Sequence, residues 1–95
     1  MGQGEVAKEE LLRRYFQAEM PELRVYVEWK IDAHSFRFYF ADEHENRYVL
    51  DVDRGVLKEQ NVAELIRDIE TERWKEVLQE RSGQINRYSD KGFSR

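Results

Sequence analysis

Three segments between residues 23 and 52 alternate apolar with polar side chains, which is the pattern of β-strands that have one buried face. Their apolar positions are Leu23, Val25, Val27, Trp29 and Ile31, then Phe36, Phe38 and Phe40, and finally Tyr48, Leu50 and Val52. Successive side chains on a strand point to opposite faces, so the three segments predict one apolar face and one polar face. We expect a three-stranded antiparallel meander.

The pairing of these strands follows from the need to keep the apolar residues on one face. In the first hairpin we predict that Trp29 lies opposite Phe38. In the second hairpin we predict Phe38 opposite Leu50, which sets Arg37 beside Asp51 on the polar face. A slip of one residue in either pairing would turn an apolar set towards solvent.

Two stretches with a helical period flank the strands. Residues 5–19 carry an apolar stripe, and the helix that they predict ends before Pro21, which disfavours a helical conformation for the residue in front of it. The second stretch begins at Asn61, and Glu64 follows at the spacing of a capping box. We predict one continuous helix from there to residue 81.

Three smaller features complete the prediction. Val56 and Leu57, between the strands and the second helix, are expected to form a brief fourth strand or a connection under the core. Trp74 falls off the apolar line of the second helix, and we expect it either to cover the edge of the sheet or to form an exposed anchor for a partner. After Gly83 the periodicity is lost and isolated apolar residues stand among polar ones, which is typical of a mobile tail.

The element order is therefore α-β-β-β-α, which predicts an α+β fold. We expect a two-layer sandwich in which two helices cover one face of a three-stranded antiparallel meander and leave the other face open. Residues 1–4 are predicted to be a disordered N-terminus, residues 5–81 a single α+β domain, and residues 82–95 a flexible C-terminal tail.

Composition narrows the classes of function. The 95 residues carry a formal net charge of −4 and no cysteine, so disulfides and thiolate metal sites are impossible. No run approaches the roughly 18 apolar residues of a membrane span, and no apolar signal segment is present. We therefore expect a cytoplasmic protein of bacterial type without membrane contact. The acidic balance disfavours nucleic acid as a partner, because phosphate binding relies on clustered Lys and Arg.

The polar face of the sheet combines cationic groups with aromatic rings and is the main candidate for a binding site. The candidate contact residues are Arg24, Tyr26, Lys30, Arg37, Tyr39 and Arg47. Our principal hypothesis is a non-catalytic protein-interaction or regulatory module that uses this face, since Arg and aromatic residues are enriched in protein interfaces. The alternative is nucleic-acid binding through the same face and the basic tail, with bases stacked on the tyrosines. We expect a monomer or a weak homodimer, because a three-stranded meander leaves two unpaired strand edges.

A carboxylate–histidine group offers a third hypothesis, a metalloprotein or hydrolase. Asp32, His34, Asp51 and Asp53 fall at one end of the predicted meander, and zinc accepts both types of ligand. Solvated loop residues are the simpler interpretation, so we predict neither a metal nor a cofactor. No nucleophile stands in a recognisable pairing with a base, and no glycine-rich phosphate loop occurs, so we predict no enzymatic activity.

Overall fold

The computed structural model describes residues 3–44 and 47–94, without the side chains of residues 3–7 and of Arg47. It confirms the α+β class, with four helices and one five-stranded mixed sheet within the described residues. In chain order the elements are α1 (Gln3–Glu19), β1 (Arg24–Lys30), β2 (Ser35–Ala41), β3 (Arg47–Asp53), α2 (Arg54–Glu59), α3 (Val62–Thr71), α4 (Trp74–Glu80), β4 (Ile85–Ser89) and β5 (Gly92–Phe93). The predicted order α-β-β-β-α is therefore incomplete.

The first three strands form the antiparallel meander that the alternation predicts. β2 pairs with β3 in the predicted register, with Phe38 opposite Leu50. β1 is displaced by two residues, because Trp29 lies opposite Phe36 rather than Phe38. A shift of two residues keeps every side chain on its own face, so the hydrophobic pattern cannot detect it. The register is set instead by a four-residue turn that ends at His34, whose φ of 51° is left-handed.

The sheet continues beyond the meander, so the prediction of a three-stranded sheet is wrong. β4 pairs in parallel with β3, and β5 returns antiparallel along β4, although we expected these residues to form a flexible tail. The pattern hides β4 because its buried positions are Asn86 and Tyr88, while Ile85 is exposed. Asn86 Nδ2 donates to the carbonyl of Val49 at 3.2 Å, and Phe93 packs on Tyr88 with ring centroids 5.1 Å apart. Pairing with β3 therefore orders a polar segment that has no apolar alternation of its own.

The first helix ends as predicted but begins earlier. The N–H of Met20 donates to the carbonyl of Phe16, and α1 stops before Pro21. At the other end α1 reaches back to Gln3, while residues 1–2 of the predicted disordered N-terminus lie outside the described residues. Among the described residues, no helix is both long enough and apolar enough to cross a lipid bilayer.

The predicted second helix is divided into α3 and α4. The capping box at its start is confirmed, since the N–H of Glu64 donates to Asn61 Oδ1 at 2.9 Å. Arg73 then interrupts the helix with a left-handed φ of 56°. The change of direction explains why Trp74 falls off the apolar line of α3, since in α4 its side chain is only 2% exposed and packs in the core. A single helix would have placed it on the wrong side.

A further helix, α2, replaces the predicted strand or connection after β3. Asp53 caps it, because the N–H of Gly55 donates to Asp53 Oδ1 at 2.8 Å. Val56 and Leu57 are buried in the core, which is the part of the prediction that holds. Lys8 Nζ donates to the carbonyl of Leu57 at 2.8 Å and so satisfies one of the acceptors at the C-terminal end of this short helix.

All four helices contribute to one core on the Phe-rich face of the sheet, which we call the inner face. Phe16 lies at its centre, with ring centroids 5.1 Å from Phe38 and 4.8 Å from Trp74. The fully buried hydrophobic residues come from every helix and from the central strands: Leu12, Phe16, Phe38, Phe40, Leu50, Val52, Leu57, Leu65, Ile69 and Leu78. The opposite face, which we call the outer face, is built from the remaining strand side chains.

Candidate protein-interaction surface

The outer face is organised in rows that run across the strands. In the sheet registers, Tyr26 lies opposite Tyr39, Tyr39 opposite Val49, and Val49 beside Ile85 of β4. We call these four residues the apolar row. Tyr26 and Tyr39 stack with ring centroids 5.1 Å apart and planes inclined by 19°. Tyr26 is 39% exposed and Ile85 is 57% exposed, so both ends of the row are open to solvent.

The neighbouring row alternates in charge. It runs through Glu28, Arg37, Asp51 and Arg87, which are successive partners in the same registers and which we call the charged row. Arg37 Nη2 lies 3.1 Å from Asp51 Oδ2, and the Asp51 side chain is only 3% exposed. Opposite charges on adjacent strands stabilise the pairing, so this row is neutralised by its own members.

Hydrogen bonds at both ends of the charged row complete its neutralisation. Glu28 accepts from Tyr39 Oη at 3.0 Å and is paired with Lys30 Nζ at 2.8 Å. The hydrogen bonds from Lys30 and then from Tyr39 hold the pKa of Glu28 below its usual value. At the other end, Arg87 Nη2 lies 3.0 Å from Asp53 Oδ2 and donates to the carbonyl of Ala33.

The centre of the charged row is buried, with Asp51 only 2% exposed, although the helices pack on the inner face. Burial works to lower the pKa of Arg37, but its hydrogen bond to Asp51 and the charge of that carboxylate outweigh burial, so the pKa is raised. Three polar atoms here, Ser35 Oγ, Arg37 Nε and Asp51 Oδ1, are buried without a hydrogen-bond partner within the described residues. Arg37 and Asp51 are therefore structural members of the sheet, and a partner would not reach their charges without displacing neighbours.

The six residues predicted from the sequence have different surroundings. Tyr26 and Tyr39 are together in the apolar row, while Arg37 and Lys30 are held in ion pairs with Asp51 and Glu28.

The remaining two of the six, Arg24 and Arg47, belong to the end of the sheet beyond the apolar row. Arg24 is exposed, and Ala41 lies opposite it in the register. The backbone of Arg47 also pairs with Ala41, but its side chain lies outside the described part of the structure.

Val49 and Ile85 are not among the six contact residues that the sequence predicts. The alternation of the third strand places Val49 on the outer face, but its neighbour in β4 lies in the segment that the sequence predicts to be a tail. The available signal was the lone Ile85, an apolar residue within a polar segment.

The candidate carboxylate–histidine group is not assembled as a metal site. Among the described residues, no group of three or more His, Cys, Asp or Glu side chains is placed to hold a metal ion. Asp32 and His34 are exposed in the turn between β1 and β2. The carboxylate of Asp51 is paired with Arg37, while that of Asp53 caps α2 and binds an arginine.

A cleft of about 310 Å³ lies between α1 and the α3–α4 junction, away from the outer face. Trp74 Nε1 donates to Tyr15 Oη at 3.2 Å, and Tyr15 Oη donates to Glu70 Oε2 at 2.7 Å. Burial and the hydrogen bond to Glu70 raise the pKa of Tyr15. Lys75 pairs with Glu19 at 2.8 Å across the same cleft. These contacts join the helices to one another, so the cleft is explained by helix packing.

Comparison with protein-family models gives no match for this chain, and comparisons with curated proteins and with solved structures also find no similar protein.

Proposed function

We propose that this protein is a non-catalytic protein-interaction or regulatory module, and that its partner binds the apolar row. The observation that carries the proposal is the continuity of this row across four strands, from Tyr26 to Ile85, on the face that lies opposite the helices. Both ends of the row are exposed apolar side chains. Tyrosine supplies a large, rigid and amphipathic contact area, which suits an interface.

The spacing of the row favours a helical partner. Adjacent strands lie about 4.8 Å apart, so the row spans roughly 14 Å from β1 to β4. The pitch of an α-helix is about 5.4 Å, so successive turns of a helix that lies across the strands would meet successive members of the row. An amphipathic helix with apolar residues at positions i, i+3 or i+4, and i+7 has this geometry.

Charge defines the border of the proposed interface. The charged row on one side is already paired internally, so it offers a neutral rim. On the other side Arg24 is exposed, and it has no ion pair within the described part of the chain. The expected partner is therefore an amphipathic helix with an acidic residue near the end that meets Arg24.

A displayed library of helical peptides tests the proposal directly. We expect the selected peptides to share the apolar spacing and an acidic flank, and to lose at least about tenfold in affinity when the protein carries Tyr26→Ser or Ile85→Ser. Leu11→Ser is the matched control, because Leu11 is a large apolar residue that is 49% exposed on α1. Peptides whose affinity falls with Leu11→Ser but not with the two outer-face substitutions would refute the proposal.

Nucleic-acid binding by the same face stays the alternative, and the stacked Tyr26 and Tyr39 are the feature that favours it. It has less support, because Lys30, Arg37 and Arg87 are each paired with a carboxylate. Titration with single-stranded RNA separates the two functions. Phosphate-driven binding would shift the tyrosine resonances at low salt and weaken steeply as salt is added, whereas a protein-interaction module should show no such shift.

A further inference from the structure

One edge of the sheet is closed over only half of its length. β1 is the end strand of the sheet, and α1 covers its first residues. The N–H of Val25 donates to Gln17 Oε1 at 3.1 Å, and Gln17 Nε2 donates to the carbonyl of Leu23 at 2.6 Å. Arg13 Nη1 also donates to the carbonyl of Val25 at 3.5 Å, so two side chains of α1 replace a neighbouring strand at this point.

The second half of β1 has no such cover. Because the N–H of Val25 points away from β2, the alternation of an antiparallel ladder turns the N–H and C=O groups of Val27 and Trp29 outward as well. Within the described residues, no side chain bonds to these outward groups as Gln17 does to Val25. The side chains here are also open, since Trp29 is 41% exposed and Ile31 is 68% exposed. An open edge with exposed apolar residues is a template for another strand.

We infer that a second copy of this chain pairs with this edge, so that two β1 strands lie antiparallel about a two-fold axis at Trp29. The charges select this register. With Trp29 opposite its own copy, Glu28 of each chain lies opposite Lys30 of the other. A two-fold axis at Glu28 would place Glu28 opposite Glu28 of the second copy. An axis at Lys30 would place Lys30 opposite Lys30.

The position of Gln17 selects the same register. In the Trp29-centred pairing, Ile31 lies opposite Val27 of the second copy, and beyond Ile31 the chain turns away towards β2. The pairing therefore stops just before Val25, whose outward N–H is already bonded to Gln17. The register that opposes two glutamates would place Ile31 against Val25 and would have to displace that glutamine.

The resulting assembly is a continuous ten-stranded sheet formed from two five-stranded sheets. It joins the outer faces of the two copies and places the two Trp29 side chains side by side on the inner-face side. This inference does not rest on the proposed peptide function, since the dimer uses the outward backbone groups of Val27 and Trp29, whereas the peptide would contact side chains of the apolar row on the outer face. One short strand edge is a small interface, so we expect a weak, concentration-dependent dimer rather than an obligate one.

Charge substitutions test the register by sedimentation equilibrium over a wide range of concentration. Glu28→Lys alone and Lys30→Glu alone should each weaken the dimer by at least about tenfold, because each brings like charges together. An equal mixture of the two variants should form a heterodimer, since every lysine then faces a glutamate. Glu80→Lys, a charge reversal at an exposed position on α4, is the control and should leave the dimer unchanged.

Two cysteine substitutions provide a second test, and no native cysteine interferes because the chain contains none. Directly opposed residues of a hydrogen-bonded antiparallel pair have Cα atoms about 5.5 Å apart, which a disulfide can bridge. Trp29→Cys should therefore form a disulfide-linked dimer rapidly. Two copies of Ile31→Cys would be separated by four residues along the strand, or about 13 Å, and should cross-link much more slowly.

The inference is overturned if the protein sediments as a monomer at millimolar concentration, or if the dimer is unaffected by Glu28→Lys and Lys30→Glu. It is also overturned if the two cysteine variants cross-link at equal rates, which would indicate collision or another partner surface. Circular dichroism of each variant verifies that a lost dimer is not a lost fold.

Discussion

The inner and outer faces of the sheet are built from the same strands but stabilised by different interactions. On the inner face, Phe38, Phe40 and Leu50 have no exposed surface and pack beneath helices. On the outer face, Asp51 is just as deeply buried, but its partner is the guanidinium of Arg37 on the next strand. Burial on the inner face removes apolar surface from water. Burial on the outer face removes a charged carboxylate from water, and the stability of that buried charge depends on its one ion-pair partner.

The comparison shows why the two faces tolerate change differently. An inner-face residue has many neighbours, and its loss leaves a cavity. An outer-face residue has a few directional contacts, so the cost of a substitution depends on which contact it breaks. Within the outer face, the buried pair of Arg37 and Asp51 and the more exposed pair of Lys30 and Glu28 should therefore behave unlike each other.

The largest effect is expected at the centre of the inner face. Phe38→Ala removes a fully buried ring that packs on Phe16, and we expect it to lower the free energy of unfolding by about 3–5 kcal/mol. Tyr39→Ala, one residue along the same strand on the outer face, should cost about 1 kcal/mol. Urea unfolding followed by circular dichroism measures both. Equal losses would contradict the distinction between the faces.

The next effect concerns the buried charge on the outer face. Arg37→Met leaves the Asp51 carboxylate buried and unpaired, and we expect a loss of about 3 kcal/mol in the free energy of unfolding. The double variant Arg37→Met with Asp51→Leu should recover most of that loss. Lys30→Met breaks a solvent-exposed pair with Glu28 and should cost less than about 1 kcal/mol. A double variant as unstable as Arg37→Met would show that the pair is not the cause.

A titratable group on the inner face predicts sensitivity to alkaline pH. Burial, followed by the charges of Asp68 and Glu72, raises the pKa of Tyr88 to about 12. The unfolded chain releases this proton near pH 10, so the stability that the group contributes is fully present below about pH 10 and is lost as the pH rises towards 12. Tyr88→Phe should flatten this loss in urea unfolding measured on both sides of pH 10. An unchanged pH profile would assign the alkaline transition to other groups.

The smallest effect on stability is expected at Ile85, the exposed end of the apolar row on β4. Ile85→Ser should change the free energy of unfolding by no more than about 0.5 kcal/mol, because the side chain is 57% exposed. Ile69→Ser, which introduces a hydroxyl at a fully buried position of α3, should instead cost about 3 kcal/mol or more. A large decrease in the free energy of unfolding from Ile85→Ser would mean that this isoleucine stabilises the fold, which would contradict its assignment to the binding surface.

Part of the candidate surface could be predicted from the sequence. Tyr26 and Tyr39 were selected because alternation places both on the polar face, and the structure stacks them. Alternation also places Arg37 on this face, but its ion pair depends on Asp51 of the neighbouring strand. Ile85 was not selected, because nothing local predicts that a polar segment will pair in parallel with β3.

The sequence by itself determined which side chains share a face, where α1 ends and where α3 begins. Each of these follows from short-range physics: the two-residue period of a strand, the steric restriction in front of Pro21, and the capping box at Asn61. The alternation fixes the register only up to a shift of two residues, since such a shift exchanges one apolar residue for another.

The tertiary structure alone decided the displaced pairing of β1, the break between α3 and α4, and the addition of β4 and β5. The first two depend on left-handed backbone conformations at His34 and Arg73, which non-glycine residues rarely adopt unless the surrounding structure holds them. The added strands depend on β3, which supplies hydrogen bonds to residues far along the chain. The apolar row exists only because that distant pairing brings Ile85 beside Val49, and no local pattern contains this information.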